Sequence, residues 1–267
     1  MENAAQLYSE LDEMFANHAS ADTIETYLLR KLAEANPLQL SILNELMGFY
    51  RSRGEHAKNK PIIDKALDLA KKMDLAGTEA GTTTLINAAT SLRAAGSYDR
   101  AEKIYTQALN ESSETLGAKN RKLAALHNNL SMLYSETGRT HDAIEELNHA
   151  LEILQNTSTD PERDIDIAAT HTNLALAMLQ ECSKECTQER KECSKECSHP
   201  NTSTNSKSAT LDSAFEHAST SVRMYVAGNN ENQPHYASAL AGFAQVQCAR
   251  GEYAQAEESY SKALDLI

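Results

Sequence analysis

The chain has no tryptophan, four phenylalanines and few aromatics overall (5%), so a β-rich core built from large rings is excluded in favour of small and aliphatic packing. Glycine and proline together supply only fifteen of 267 residues, too few for a turn-dense sandwich or barrel. Long apolar runs are absent, and no window approaches the roughly 20 residues of a membrane span. The first residues, Met1-Glu2-Asn3-Ala4-Ala5-Gln6, lack the basic and apolar stretches of a secretory signal. Cysteine is scarce and badly distributed for a disulfide framework: four of five lie in one segment, with Cys248 apart. Positive charge is also short, 25 Lys and Arg against 38 Asp and Glu, for a net charge of −13. A phosphate backbone is repelled by that balance, so nucleic acid is not expected as a partner. The expectation is a cytoplasmic protein that is not bound to membranes.

What is present is repetition. Leu46–Gly54, Ala88–Gly96 and Leu130–Gly138 are similar segments ending in glycines spaced 42 apart, and Gly251 closes a fourth. After each glycine, small or aliphatic residues recur at fixed offsets: Ala101, Tyr105 and Ala108; Ala143, Leu147 and Ala150; Ala256, Tyr260 and Ala263. Spacings of three and four place them on one helix face, and alanine there allows a neighbouring helix to come close. Glycine supplies the left-handed residue that ends the first helix. Each unit therefore reads as helix, tight turn, helix.

The ordered small residue, Gly, Ala, aromatic and Ala resemble the tetratricopeptide repeat. The long unit, with His127-Asn128-Asn129-Leu130-Ser131-Met132-Leu133-Tyr134 followed by Gly138, Ala143 and Ala150-Leu151-Glu152-Ile153, resembles the 42-residue kinesin-light-chain subtype. The resemblance covers about residues 37–267. It implies an all-α, right-handed superhelical solenoid of antiparallel helix pairs, about five repeats starting near Leu38, Gly81, Lys122, Ile165 and Gln233. The first repeat departs from the pattern with Asn59 where alanine is usual. Residues 1–36 read as a further helical hairpin, Ala5–Asn17 and Asp22–Ala35, broken at Asn36-Pro37 and capping the array. No solvating helix follows the last repeat, so Leu264 and Ile267 are expected to expose an apolar face, a possible homodimer contact.

The fourth repeat carries an insertion at about 181–208. Its expected glycine is missing, which leaves the first helix free to run on until a second helix resumes near Leu211, with a polar loop from His199 to Ser208. The insert duplicates Glu-Cys-Ser-Lys-Glu-Cys at an 11-residue offset, so Cys182, Cys186, Cys193 and Cys197 fall on one stripe of a helix. Such thiols can hold a soft metal if the segment folds back or dimerises. The six residues between the pairs leave little room for that, and no metal or cofactor is assigned.

No phosphate loop, dinucleotide fingerprint or nucleophile elbow occurs, and the nine histidines show no sequential metal-ligand spacing. His127 and His171 are equivalent positions and read as packing residues. The chain is expected not to be an enzyme. The resemblance instead implies a groove lined by the first helices, binding a protein or an extended peptide through Asn44, Arg51, Asn87, Arg93, Asn128, Asn129, Met132, Asn173 and Leu176. Asn87, Asn129 and Asn173 share one repeat position, and a carboxamide can both donate to and accept from a peptide backbone. The alternatives are a peptide-sensing regulator, and a thiol or metal protein centred on the insert.

Overall fold

The computed structural model describes residues 4–34, 38–115, 117, 120–157, 161–193 and 204–266, with the backbone alone for 114, 161, 185–193 and 204–207. The Asn36-Pro37 break, Cys197 and Ile267 lie outside the described residues. Two compact units, Met1–Ala118 and Lys119–Ile267, divide the chain. Every described element is an α-helix. In the first unit these are α1 (Ala4–Ala16), α2 (Ala21–Ala33), α3 (Gln39–Ser52), α4 (His56–Lys72), α5 (Glu79–Ala94) and α6 (Tyr98–Thr115). The second holds α7 (Arg121–Glu136), α8 (Thr140–Gln155), α9 (Pro161–Cys193), α10 (Thr204–Ala227), α11 (Pro234–Arg250) and α12 (Tyr253–Leu264).

From α3 onward the helices pack as consecutive pairs, α3–α4, α5–α6, α7–α8, α9–α10 and α11–α12. Within three of the pairs the first helix closes on a left-handed glycine, Gly54, Gly96 or Gly138, and the α11–α12 pair does so on Gly251. Helix starts are capped where the sequence offers an oxygen: Ser20 accepts from the Thr23 amide, Thr78 from Gly81, and Asn120 from Lys122. The repeating alanines do what their spacing predicts. Ala101, Ala108, Ala143, Ala150, Ala256 and Ala263 are all buried, because a methyl group is all that fits where two backbones approach closely.

In the first unit, Leu7, Leu28, Ile42, Leu43, Leu46 and Met47 are fully enclosed. Each removes enough apolar surface from water to contribute about 2 kcal/mol. Polar side chains join neighbouring helices at the rim: the Tyr27 hydroxyl donates to Glu10 at 2.6 Å, and Glu25 accepts from Tyr50 and Lys58, each at 2.9 Å. In the second unit, Leu147, Leu154 and Leu174 form one cluster, while Ala214 and Ala218 of α10 meet Ala175 and Val246 in another.

Where the fourth repeat lacks its glycine, α9 runs for 33 residues. Its continuation rests on the preceding turn: Gln180 donates to the Ser135 carbonyl at 3.1 Å, and the Lys184 ammonium donates to the Gly138 carbonyl. The second helix of this repeat starts at Thr204, not near Leu211, so residues 204–208, expected in a polar loop, are helical. No glycine or proline interrupts 204–211. Ser, Thr and Asn cost only about half a kcal/mol each relative to alanine, so a helix nucleated downstream extends through them. On α12, Leu264 is 72% exposed.

Asn59 accounts for its own departure from the pattern. It stands where Ala101, Ala143 and Ala256 stand in other repeats and is equally buried. Its amide donates to the Met47 carbonyl at 3.0 Å, but its Oδ1 is enclosed without a partner among the described residues. One hydrogen bond contributes about 1 kcal/mol, while an orphaned buried acceptor costs about 1–3 kcal/mol. Asn59→Ala is therefore expected to leave the unfolding free energy, measured in urea, unchanged or raised by up to about 1 kcal/mol. A loss above about 2 kcal/mol would show that the Met47 bond dominates.

Candidate functional site

In the first unit, the sequence-selected residues sit on α3 and α5. The Asn44 amide donates to the Thr84 hydroxyl at 3.1 Å, and its carbonyl accepts from the Asn87 amide at 3.3 Å. Arg51 and Arg93 hold equivalent places one helix apart. Arg51 is half-buried and donates to the Ser91 hydroxyl at 3.2 Å; burial, with Arg93 nearby, lowers its pKa, while Tyr105 opposes that. This surface carries two guanidinium groups and two carboxamides.

In the second unit the same ladder recurs on α7 and α9. Asn128 donates to the Thr170 hydroxyl at 2.9 Å and accepts from the Asn173 amide at 3.3 Å. Asn44 and Asn128 are equivalent positions 84 residues apart, and each ties its helix to the first helix of the next repeat. Among the described residues Asn129 bonds only the Ala125 carbonyl of its own helix, at 2.8 Å. Asn128, Asn129, Met132 and Asn173 line one cleft of about 210 Å³. Met132 is exposed on it. Leu176 is drawn partly into packing: Gly242 of α11 holds the repeat position of the asparagines, and a Cβ there would lie 3.7 Å from Leu176. The carbonyl oxygens of Asn87, Asn129 and Asn173 accept nothing among the described residues, so each half-buried amide keeps an acceptor available.

The cysteine stripe is only partly described. Cys182 is half-buried on α9, and the side chains of Cys186 and Cys193 lie outside the described residues. The histidines are more organised than the sequence suggested. His127 is, as expected, partly buried, but its Nδ1 lies 2.6 Å from Glu146 Oε2, and its ring is 5.4 Å from that of His149. In the next repeat His171 and His217 share an Nδ1–Nδ1 hydrogen bond of 2.7 Å. Sequence reasoning missed both groupings because the partners lie on different helices. Repeat alignment signals them, since Glu146 and His217 each stand three residues after a buried alanine of a second helix, Ala143 and Ala214.

Residues 81–156 match the family model for the tetratricopeptide repeat. That stretch carries tetratricopeptide repeats. No curated protein matches the sequence. Among solved structures, the nearly identical TPR-like repeats of a Podosopora anserina kinesin light chain are 16% identical, with a TM-score of 0.61 over 87% of this chain and 96% of that one. BtubC from P. vanneervenii is 18% identical at a TM-score of 0.62, covering 93% and 88%. Pseudomonas aeruginosa pilF is 20% identical at 0.54, covering 85% and 76%. At such identities the likeness establishes the repeat fold alone.

The histidine pair between the repeat helices α9 and α10 gives a pH dependence. Burial, with the His217 ring adjacent, pulls His171 down to about 4; burial also lowers His217, against the pull of Glu216. Unfolded histidines titrate near 6.5, so between these values the unfolded chain binds more protons and stability rises with pH. The pair's contribution is complete above about pH 6.5 and is lost as pH falls toward about 4. Thermal melts across this range should show a steep loss, flattened in His171→Leu/His217→Ile. An equal slope in that variant would assign the acid sensitivity elsewhere.

Proposed function

We propose that the protein is a non-enzymatic scaffold that binds an extended segment of another polypeptide on the first-helix faces of its repeats. The observation that carries this reading is the set of half-buried asparagines at one repeat position, each holding an unspent carbonyl oxygen beside a fixed amide. An extended backbone presents an N–H donor at every residue except proline. Carboxamides held by neighbouring helices meet such donors without paying again to order their own side chains.

The two units offer different chemistry around these amides. Arg51 and Arg93 on α3 and α5 favour a segment with a carboxylate there, whereas Met132 beside Asn129 favours an apolar side chain. A neutral or mixed-charge segment suits a chain of net charge −13 better than a strongly acidic one. Among the described residues no helix is long and apolar enough to cross a membrane. A cytoplasmic setting belongs to the same proposal.

Asn129 is the cleanest probe, because it bonds only its own helix and its loss breaks no tie between repeats. On a peptide array, the full chain should select a limited set of segments. Asn129→Ala should weaken the best of them by about 1 kcal/mol, roughly fivefold. The Asn87→Ala/Asn129→Ala/Asn173→Ala triple variant should abolish binding while circular dichroism still reports a helical fold. Undiminished binding by a folded triple variant would overturn the assignment.

A further inference from the structure

We propose that His127, Glu146 and His149 form a binding site for a divalent transition-metal ion of the zinc class, joining α7 to α8. In the preceding repeat the equivalent positions are Leu85, Ile104 and Gln107, the first two buried against each other's helices as ordinary packing residues. Repeat three replaces that apolar pair by an imidazole and a carboxylate, both still largely enclosed, at 18% and 19% side-chain exposure. A polar exchange at a packed position costs free energy unless the groups gain a partner that the apolar pair did not need.

The third group supplies the reason. His149 follows Glu146 by three residues on α8 and so shares its face. The ligand atoms of His127, Glu146 and His149 all lie within 4.8 Å of one another. Zinc holds imidazole nitrogen at about 2.0–2.1 Å and carboxylate oxygen at about 2.0–2.2 Å, so the three donors must close further around an ion. His149 is exposed and free to rotate inward, while His127 and Glu146 are already 2.6 Å apart. Two imidazoles with one carboxylate suit zinc, nickel or cobalt better than the all-oxygen preference of calcium and magnesium. Three protein ligands leave a fourth position for water or for a group on a partner.

The next repeat is an internal control. His171 and His217 occupy the places of His127 and Glu146, but Thr220 stands where His149 does, so no third ligand completes that pair.

The test uses the tag-free chain with Cys182, Cys186, Cys193 and Cys197 replaced by serine, which removes the clustered thiols of the insert as competitors. Zinc titrated into this chain calorimetrically should bind at one site. His149→Ala, an exposed substitution that leaves the fold intact, should weaken that binding at least about tenfold, as even the loss of an outer-shell partner does at metal sites. His171→Leu should leave it unchanged. Cobalt at the same site should show visible ligand-field bands without a thiolate charge-transfer band. Binding absent from the chain that lacks the four insert cysteines, or equally tight in His149→Ala, would overturn the proposal.

Discussion

The structure depends on how closely the two helices of each pair can approach. A single hairpin has too little apolar surface to hold itself together, and it is stable only when stacked on its neighbours. Ala101, Ala143 and Ala256 set the spacing, and the left-handed glycines before them aim the second helix back along the first. With the pairs held this way, the first helices of adjacent repeats come near enough for side chains to bond directly. The Asn44–Thr84–Asn87 and Asn128–Thr170–Asn173 ladders result. The surface proposed to take a partner is thus made rigid by the contacts that stack the repeats.

Close packing also explains how this chain tolerates polar groups where others of its repeats are apolar. Asn59, His127 with Glu146, and His171 with His217 all stand at places held elsewhere by alanine, leucine or isoleucine. Each is at least partly satisfied across its own hairpin, by a backbone carbonyl, a carboxylate or a second imidazole. Such pairs make single hairpins chemically distinct within an otherwise repetitive fold, and they bring pH, and by our proposal metal, to bear on two adjacent repeats.

Much of this was legible in the sequence. Gly54, Gly96, Gly138 and Gly251 marked the turns of four helix pairs, and the alanine offsets their close faces, because turn conformation and close helix approach each tolerate few residue types. The running-on of α9 followed from one missing glycine. The start of α10 was not legible, since Ser, Thr and Asn are as compatible with a helix extension as with a loop. Nor were the ladders: Asn87, Asn129 and Asn173 share a repeat position, yet Asn87 and Asn173 bond residues one position earlier in the preceding repeat, a register that only the stacking geometry sets. The His127, Glu146 and His149 grouping spans two helices and escapes any sequential motif.

The central claim is that the first-helix faces receive the partner. Hydrogen–deuterium exchange of the full chain, with and without its best-binding peptide, tests this most directly. The account predicts that the peptide slows exchange mainly in the first helices of the unit that holds it, α3 and α5 in the first or α7 and the part of α9 up to Leu176 in the second, with little change in α4, α6 and α8. Slowing confined to those second helices, or to the continuation of α9 beyond Leu176, would contradict it.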